Sequence, residues 1–121
     1  MEPVQVEAYS QETNAWVIRT PGRQYPALVI QGDSFSILFT TAQSILERAR
    51  ACKCKDNELL EEAEELRDLL WNQLRHYEET LQATGFQLPY NRTAAPRRVP
   101  VRARLTRALT YLTHLARWAH D

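Results

Sequence analysis

The spacing of the apolar residues changes once, near Ser34, and no other feature limits the fold as much. Before that point the period is two. In "VQVEAYS", Val4, Val6 and Ala8 point one way and Gln5 and Glu7 the other, as in a half-buried strand. "QETN" supplies turn residues, and "NAWVIRT" resumes the alternation, with Trp16 and Ile18 opposite Ala15, Val17 and Arg19. Two such runs around a short polar break predict a β-hairpin. "PGR" closes the second strand. "YPALVIQ" predicts a third, with Pro26 at its start or on an edge because proline cannot donate to a ladder.

After Ser34 the period is that of a helix. Phe35, Leu38, Phe39, Ala42, Ile45, Leu46, Ala49 and Cys52 follow i, i+3, i+4 spacing and predict an amphipathic helix over about 34–53. "KDN" interrupts it. Asp56 or Asn57 caps a second helix, whose expected stripe is Leu59, Ala63, Leu66, Leu70, Leu74, Tyr77 and Leu81, and Gly85 ends it. A short break between amphipathic helices implies an antiparallel helical hairpin. Beyond it, "FQLPYNRTAAPRRVPVRAR" reads as a linker. Val101, Leu105, Ala108, Leu109, Leu112, Leu115 and Ala116 then outline one more apolar side.

The expected fold is α+β, a three-stranded antiparallel β-meander packed on an antiparallel helical hairpin, plus a C-terminal basic helix. Residues 1–90 form the single α+β domain, 91–100 a Pro/Arg-rich linker and 101–121 the C-terminal amphipathic helix. A chain of 121 residues is long enough for one modest core. No apolar run approaches the roughly 20 residues that cross a bilayer, so no membrane role is expected. "MEPVQVEAYS" has neither a basic n-region nor an apolar h-region, which points to a cytoplasmic protein.

The densest run of backbone punctuation, "RTPGRQYPALVIQGDS" at 19–34, reads as joinery. Pro21 and Gly22 make a turn, Gly32 lets the chain leave the third strand sharply, and Asp33 or Ser34 caps the helix that follows. The helix N-terminus at 33–36, with Arg19 and Arg23 nearby, is the alternative as an anion site. Asp33 opposes it, and the glycines and lysine of a phosphate-binding loop are missing. No catalytic triad, zinc-protease helix or nucleophile elbow occurs in the chain, so no enzyme and no cofactor are expected. Cys52 and Cys54 lie two apart in "ACKCK". His76, His114 and His120 offer no matching spacing, so no metal site is expected either.

At these same residues the chain resembles a family of small bacterial domains of unknown function. The resemblance lies in the strand before "RTPGRQYP", in "VIQGDS" and the helix after it, and in "LPY" at 88–90. It covers about residues 4–90 and implies the fold unit, with no activity attached. The Arg-rich tail lies outside it.

The net charge of zero conceals a division: −2 over residues 1–33, −4 over 34–85 and +6 over 86–121. "NELLEEAEELRD" sets Glu58, Glu61, Glu62, Glu64, Glu65 and Asp68 around an apolar stripe. Such a run is either a solvated face or a docking surface for a basic partner. "RRVPVRARLTR" gathers Arg97, Arg98, Arg102, Arg104 and Arg107, which can pair with carboxylates of the same chain, of a second copy, or with phosphates. The expected function is a protein-binding module, most concretely an immunity protein that neutralises a bacterial toxin by direct binding. The expected contact residues are Glu58, Glu61, Glu62, Glu65, Asp68, Arg23, Tyr25, Arg97, Arg98, Arg102 and Arg104. The alternative is a nucleic-acid-associated or regulatory protein using the Arg cluster. A protein partner is preferred, a homodimer is open, and nucleic acid comes behind both.

Overall fold

The computed structural model describes residues 1–96. Arg97, Arg98, Arg102, Arg104 and the helix expected over 101–121 lie outside the described residues. The order is β1 (Glu7–Ser10), β2 (Val17–Arg19), β3 (Ala27–Leu28), α1 (Gly32–Ala51) and α2 (Asn57–Ala83). The strands form one antiparallel sheet in the order β1-β2-β3.

The meander is present but shorter than the alternation implied. β1 starts at Glu7, leaving Val4 and Val6 outside it, and its register with β2 slips between Ala8 and Ser10. Glu7 faces Arg19 across the pair, and their side chains form an ion pair at 2.6 Å. Asn14 takes φ 61° and Ala15 N–H donates to Glu12 C=O, so "QETN" is the turn between the two strands. "TPGR" makes a second turn, with Arg23 N–H on Thr20 C=O at 3.2 Å and Gly22 at φ 79°. A positive φ at the third position is what a type II turn requires, and proline is common at the second.

The helices carry the core. Phe39, Ala42 and Leu46 of α1 are buried, and from α2 Leu74, Arg67 and Glu78. Phe39 and Trp71 meet ring to ring, with centroids 5.4 Å apart. The α+β architecture is as expected, but the core lies between α1 and α2 and not beneath the sheet. No strand approaches a helix as closely as the strands approach one another. The sheet reaches the hairpin only at its edge, where Leu28 and Ile30 line an open hollow of about 500 Å³ with Phe35, Tyr77 and Leu81.

Both helices end in the same backbone device. After α2, Gly85 sits at φ 74° while Phe86 N–H reaches Leu81 C=O and Gly85 N–H reaches Gln82 C=O. That is a Schellman motif with glycine at its left-handed position. After α1 the identical pattern joins Cys54 to Ala49 and Lys53 to Arg50, with Lys53 in the left-handed position at φ 55°. "ACKCK" is therefore the corner of the hairpin, and Cys52 Sγ–H lies 3.3 Å from Ala49 C=O.

At the helix starts the expectations divide. Asp56 caps α2, its Oδ1 accepting from Leu59 N–H at 3.1 Å. α1 begins at Gly32, two residues before the start expected at about 34. Its cap position is Gln31, whose side chain makes no capping bond. Neither Asp33 nor Ser34 is the cap: Asp33 Oδ1 accepts only from its neighbour Ser34 N–H, and its C=O takes the Ser36 hydroxyl.

Candidate partner-binding surface

Of the apolar stripe expected on α2, Leu74 is buried and Ala63, Leu70, Tyr77 and Leu81 are half-buried, but its first turns diverge. Leu59 and Leu66 are each 51% exposed, and the row facing α1 runs Leu60, Arg67, Leu74 and Leu81 at steps of seven. Arg67 holds a position where a leucine would be expected, at 1% exposure. Its Nε donates to Asp68 Oδ1 at 2.9 Å and its Nη1 to Gln43 Oε1 at 3.2 Å, while Nη2 is buried without a partner. A buried cation in place of an aliphatic residue is a weak contributor to stability, since desolvation offsets most of its pairing.

The carboxylates sort accordingly. Glu58, Glu61 and Glu62 are exposed and Glu65 half-buried along the first turns of α2. Among the described residues no ion pair reaches any of these four. Glu64 is different, paired with Arg50 across the hairpin. Asp68, expected with the ridge, instead serves the core by holding Arg67.

Beside this ridge runs an apolar face that the sequence did not single out. Leu59 and Leu66 each stand one residue before a core position, Leu60 and Arg67. On α1, Leu38 and Ile45 each stand one residue before Phe39 and Leu46. In an antiparallel pair, positions that precede the facing row fall on the same side of the plane through both axes. The four side chains therefore share one side of the hairpin, each between 46% and 57% exposed. Glu62, three residues after Leu59 and four before Leu66, borders them.

Arg23 and Tyr25 belong to a different part of the molecule. Both are exposed in the β2–β3 connection, where Arg23 lines a hollow of about 500 Å³ with Glu7, Arg19 and Pro21. Arg19 is engaged by Glu7, whose carboxyl is held below its usual range by that hydrogen bond and charge. The sheet meets α2 between Gln73 and Leu81, whereas the acidic ridge occupies 58–65. The structure thus does not bring these two sets together.

A third group gathers where the chain turns back after α2. Glu78, 4% exposed, accepts from Thr93 N–H at 2.9 Å, and Arg92 Nη1 donates to Gln82 Oε1 at 3.3 Å. Residues 91–93, expected as linker, are thereby tied to α2. Tyr90 lies here with its hydroxyl buried and without a hydrogen-bond partner. Burial first, then the negative charge of Glu78, pushes its phenol up to about 12. Across from it, Tyr77 covers Gly32 so closely that a Cβ there would lie well under 3.0 Å from the ring and hydroxyl.

Among the described residues, no three His, Cys, Asp or Glu side chains are placed to hold a metal ion, and no helix is long and apolar enough to cross a membrane. Neither a curated protein nor a solved structure matches the chain. A family model does match, over residues 1–90, and it stops just before the Arg-rich segment begins. The chain accordingly belongs to a family of unknown function (DUF6959), with the meander, both helices and the "LPY" turn inside the matched region.

Proposed function

We propose that the chain is a non-catalytic protein-binding module whose recognition element is the helical hairpin. The observation that supports this is the ridge of Glu58, Glu61, Glu62 and Glu65, unpaired among the described residues and adjoining an exposed apolar face. An interface needs an apolar centre with a polar rim, and charge at the rim steers the encounter. A basic partner surface is the complement. In its most concrete form the module neutralises a bacterial toxin by covering a basic active site, a version that rests on charge complementarity alone.

The test is co-expression of the full chain with the product of its neighbouring gene. A 1:1 complex on gel filtration and restored growth are expected. Reversing Glu58, Glu61 and Glu62 to lysine should remove both, with association slowed most at low salt. No complex and no growth rescue would count against the toxin form. Nucleic acid is the competing ligand, through Arg97, Arg98, Arg102 and Arg104. A mobility shift with duplex or single strands, its log affinity falling linearly with log salt, would replace the protein-binding reading.

A further inference from the structure

We infer that the hollow between the β1–β2 turn and the start of α1 is a binding site for a neutral sugar ring. It holds about 470 Å³ and is lined by Gln11, Thr13, Asn14, Trp16, Val29 and Gln31. A volume of this size is ordinary for a small-molecule site. None of the six residues is charged. A phosphate, carboxylate or ammonium ligand would therefore lose its hydration there without an opposite charge to replace it. What the lining does offer is an aromatic ring, 43% exposed at Trp16, among three side-chain amides and a hydroxyl. The matching ligand has one apolar face and a rim of hydroxyls. A β-linked glucose-type ring is built that way, with equatorial hydroxyls and axial C–H bonds on both faces. Its C–H face packs on the electron-rich face of the indole. Each amide, with an acceptor oxygen and two N–H donors in one plane, can serve a pair of neighbouring hydroxyls.

The backbone holds these groups in place. Val29 N–H donates to Trp16 C=O at 2.8 Å, which ties one wall of the hollow to the other. Asn14 at φ 61° and Ala15 N–H on Glu12 C=O fix the turn that carries Gln11, Thr13 and Asn14. Gln31 occupies the cap position of α1, and its C=O accepts from Phe35 N–H at 2.9 Å. Its side chain makes no capping bond, so the amide remains available to the hollow. The acidic ridge at 58–65 takes no part in this lining, so the site is independent of the protein partner proposed above.

The experiment is a titration of the nitrogen-labelled full chain with cellotriose, followed by nuclear magnetic resonance. Saturable shifts are expected at the Trp16 indole N–H and at the amides of Thr13, Asn14 and Gln31, with those of Leu46 and Leu74 unmoved. Glycerol at equal hydroxyl concentration, which lacks the ring face, should give no saturable shift. Trp16→Ala, read at Thr13 and Gln31, should weaken binding at least about tenfold, because the stacked face loses its cover. Gln31→Ala should weaken it about threefold or more through lost hydrogen bonds. Asn14→Gly should do the same while keeping the positive φ of the turn. These two variants decide the matter if Trp16→Ala does not fold. Retention on insoluble cellulose as well would assign the ring to a polymer, and binding of cellotriose alone to a soluble oligosaccharide. No saturable shift with cellotriose, or an equal response to glycerol, would overturn the inference. So would affinity unchanged within about twofold in Trp16→Ala, or in both Gln31→Ala and Asn14→Gly.

Discussion

Gly32 offers the sharpest test of the packing described above, because its substitution should change sign with one neighbour. Glycine at the start of a helix is normally a small liability, and alanine gains up to about 1 kcal/mol from reduced backbone entropy. Here an added Cβ would overlap the hydroxyl end of the Tyr77 ring. The ring must swing away and give up its half-buried place beside Leu28, Ile30 and Phe35. Overpacking of this kind costs about 1–3 kcal/mol. In the native background, Gly32→Ala should therefore destabilise by about 1–2 kcal/mol net, lowering Tm by roughly 4–15 °C for a chain of this size. With Tyr77→Ala already in place the obstacle is gone, and the same change should stabilise by up to about 1 kcal/mol, the normal glycine-to-alanine gain. Urea unfolding followed by far-ultraviolet dichroism on the four proteins of the cycle gives the coupling, expected at about 2 kcal/mol. Equal effects of Gly32→Ala in both backgrounds, within about 0.5 kcal/mol, would refute the close approach of Tyr77.

Three further outcomes follow from the same geometry. Arg67→Met should leave the hairpin equally stable or raise its stability by about 1–4 kcal/mol in urea unfolding, because it removes a buried guanidinium with one unpaired nitrogen. Lys53→Gly should stabilise by about 1 kcal/mol, since a left-handed φ of 55° costs a lysine what it does not cost glycine, and a thermal melt will show it. Tyr90→Phe should be neutral or stabilising at pH 7, because it deletes a buried hydroxyl with no partner. The same tyrosine sets an alkaline limit. Its folded-state pKa is raised from 10.0 to about 12, so the contribution is complete below pH 10 and is lost as pH climbs from 10 to 12. Tyr90→Phe should flatten that part of the stability–pH curve, and a phenolate absorbance titration should show one tyrosine fewer at the high end.

Much of the fold was legible because its signals are local. The switch of period near Ser34, the turn residues in "QETN" and "PG", Asp56 as a cap and Gly85 as a helix stop all act within a few residues. What escaped depends on distant partners. Gly32 was read as a conformational hinge for leaving the third strand, yet the glycines with positive φ are Gly22 and Gly85, and Gly32 is instead required by a ring 45 positions away. The first cap was missed for a related reason. α1 starts at Gly32, under the Tyr77 ring and ahead of the polar residues Asp33 and Ser34 that normally announce a helix.

The candidate surface was the least legible part, and α2 shows why. Its sequence offers two rows of apolar residues rather than one: Leu59, Leu66, Leu70 and Tyr77 along one edge, and Leu60, Leu74 and Leu81 along the other. Reading by residue type merges the two, taking Leu59, Leu66, Leu70 and Tyr77 from the first and Leu74 and Leu81 from the second, because Arg67 interrupts the second. The helix nevertheless turns the interrupted row toward α1. Gln43 and Asp68 are there to take two of the guanidinium's nitrogens, and Trp71, one turn further, meets Phe39. Once the facing row is fixed, rotation leaves no freedom for the other, and Leu59 and Leu66 stand open beside Leu38 and Ile45. The exposed face is thus a consequence of placing Arg67 inside. Restoring a leucine-like residue at 67 cannot close it, because the face lies about 100° around the helix from that position. Only a further element of chain, or a partner, can cover it.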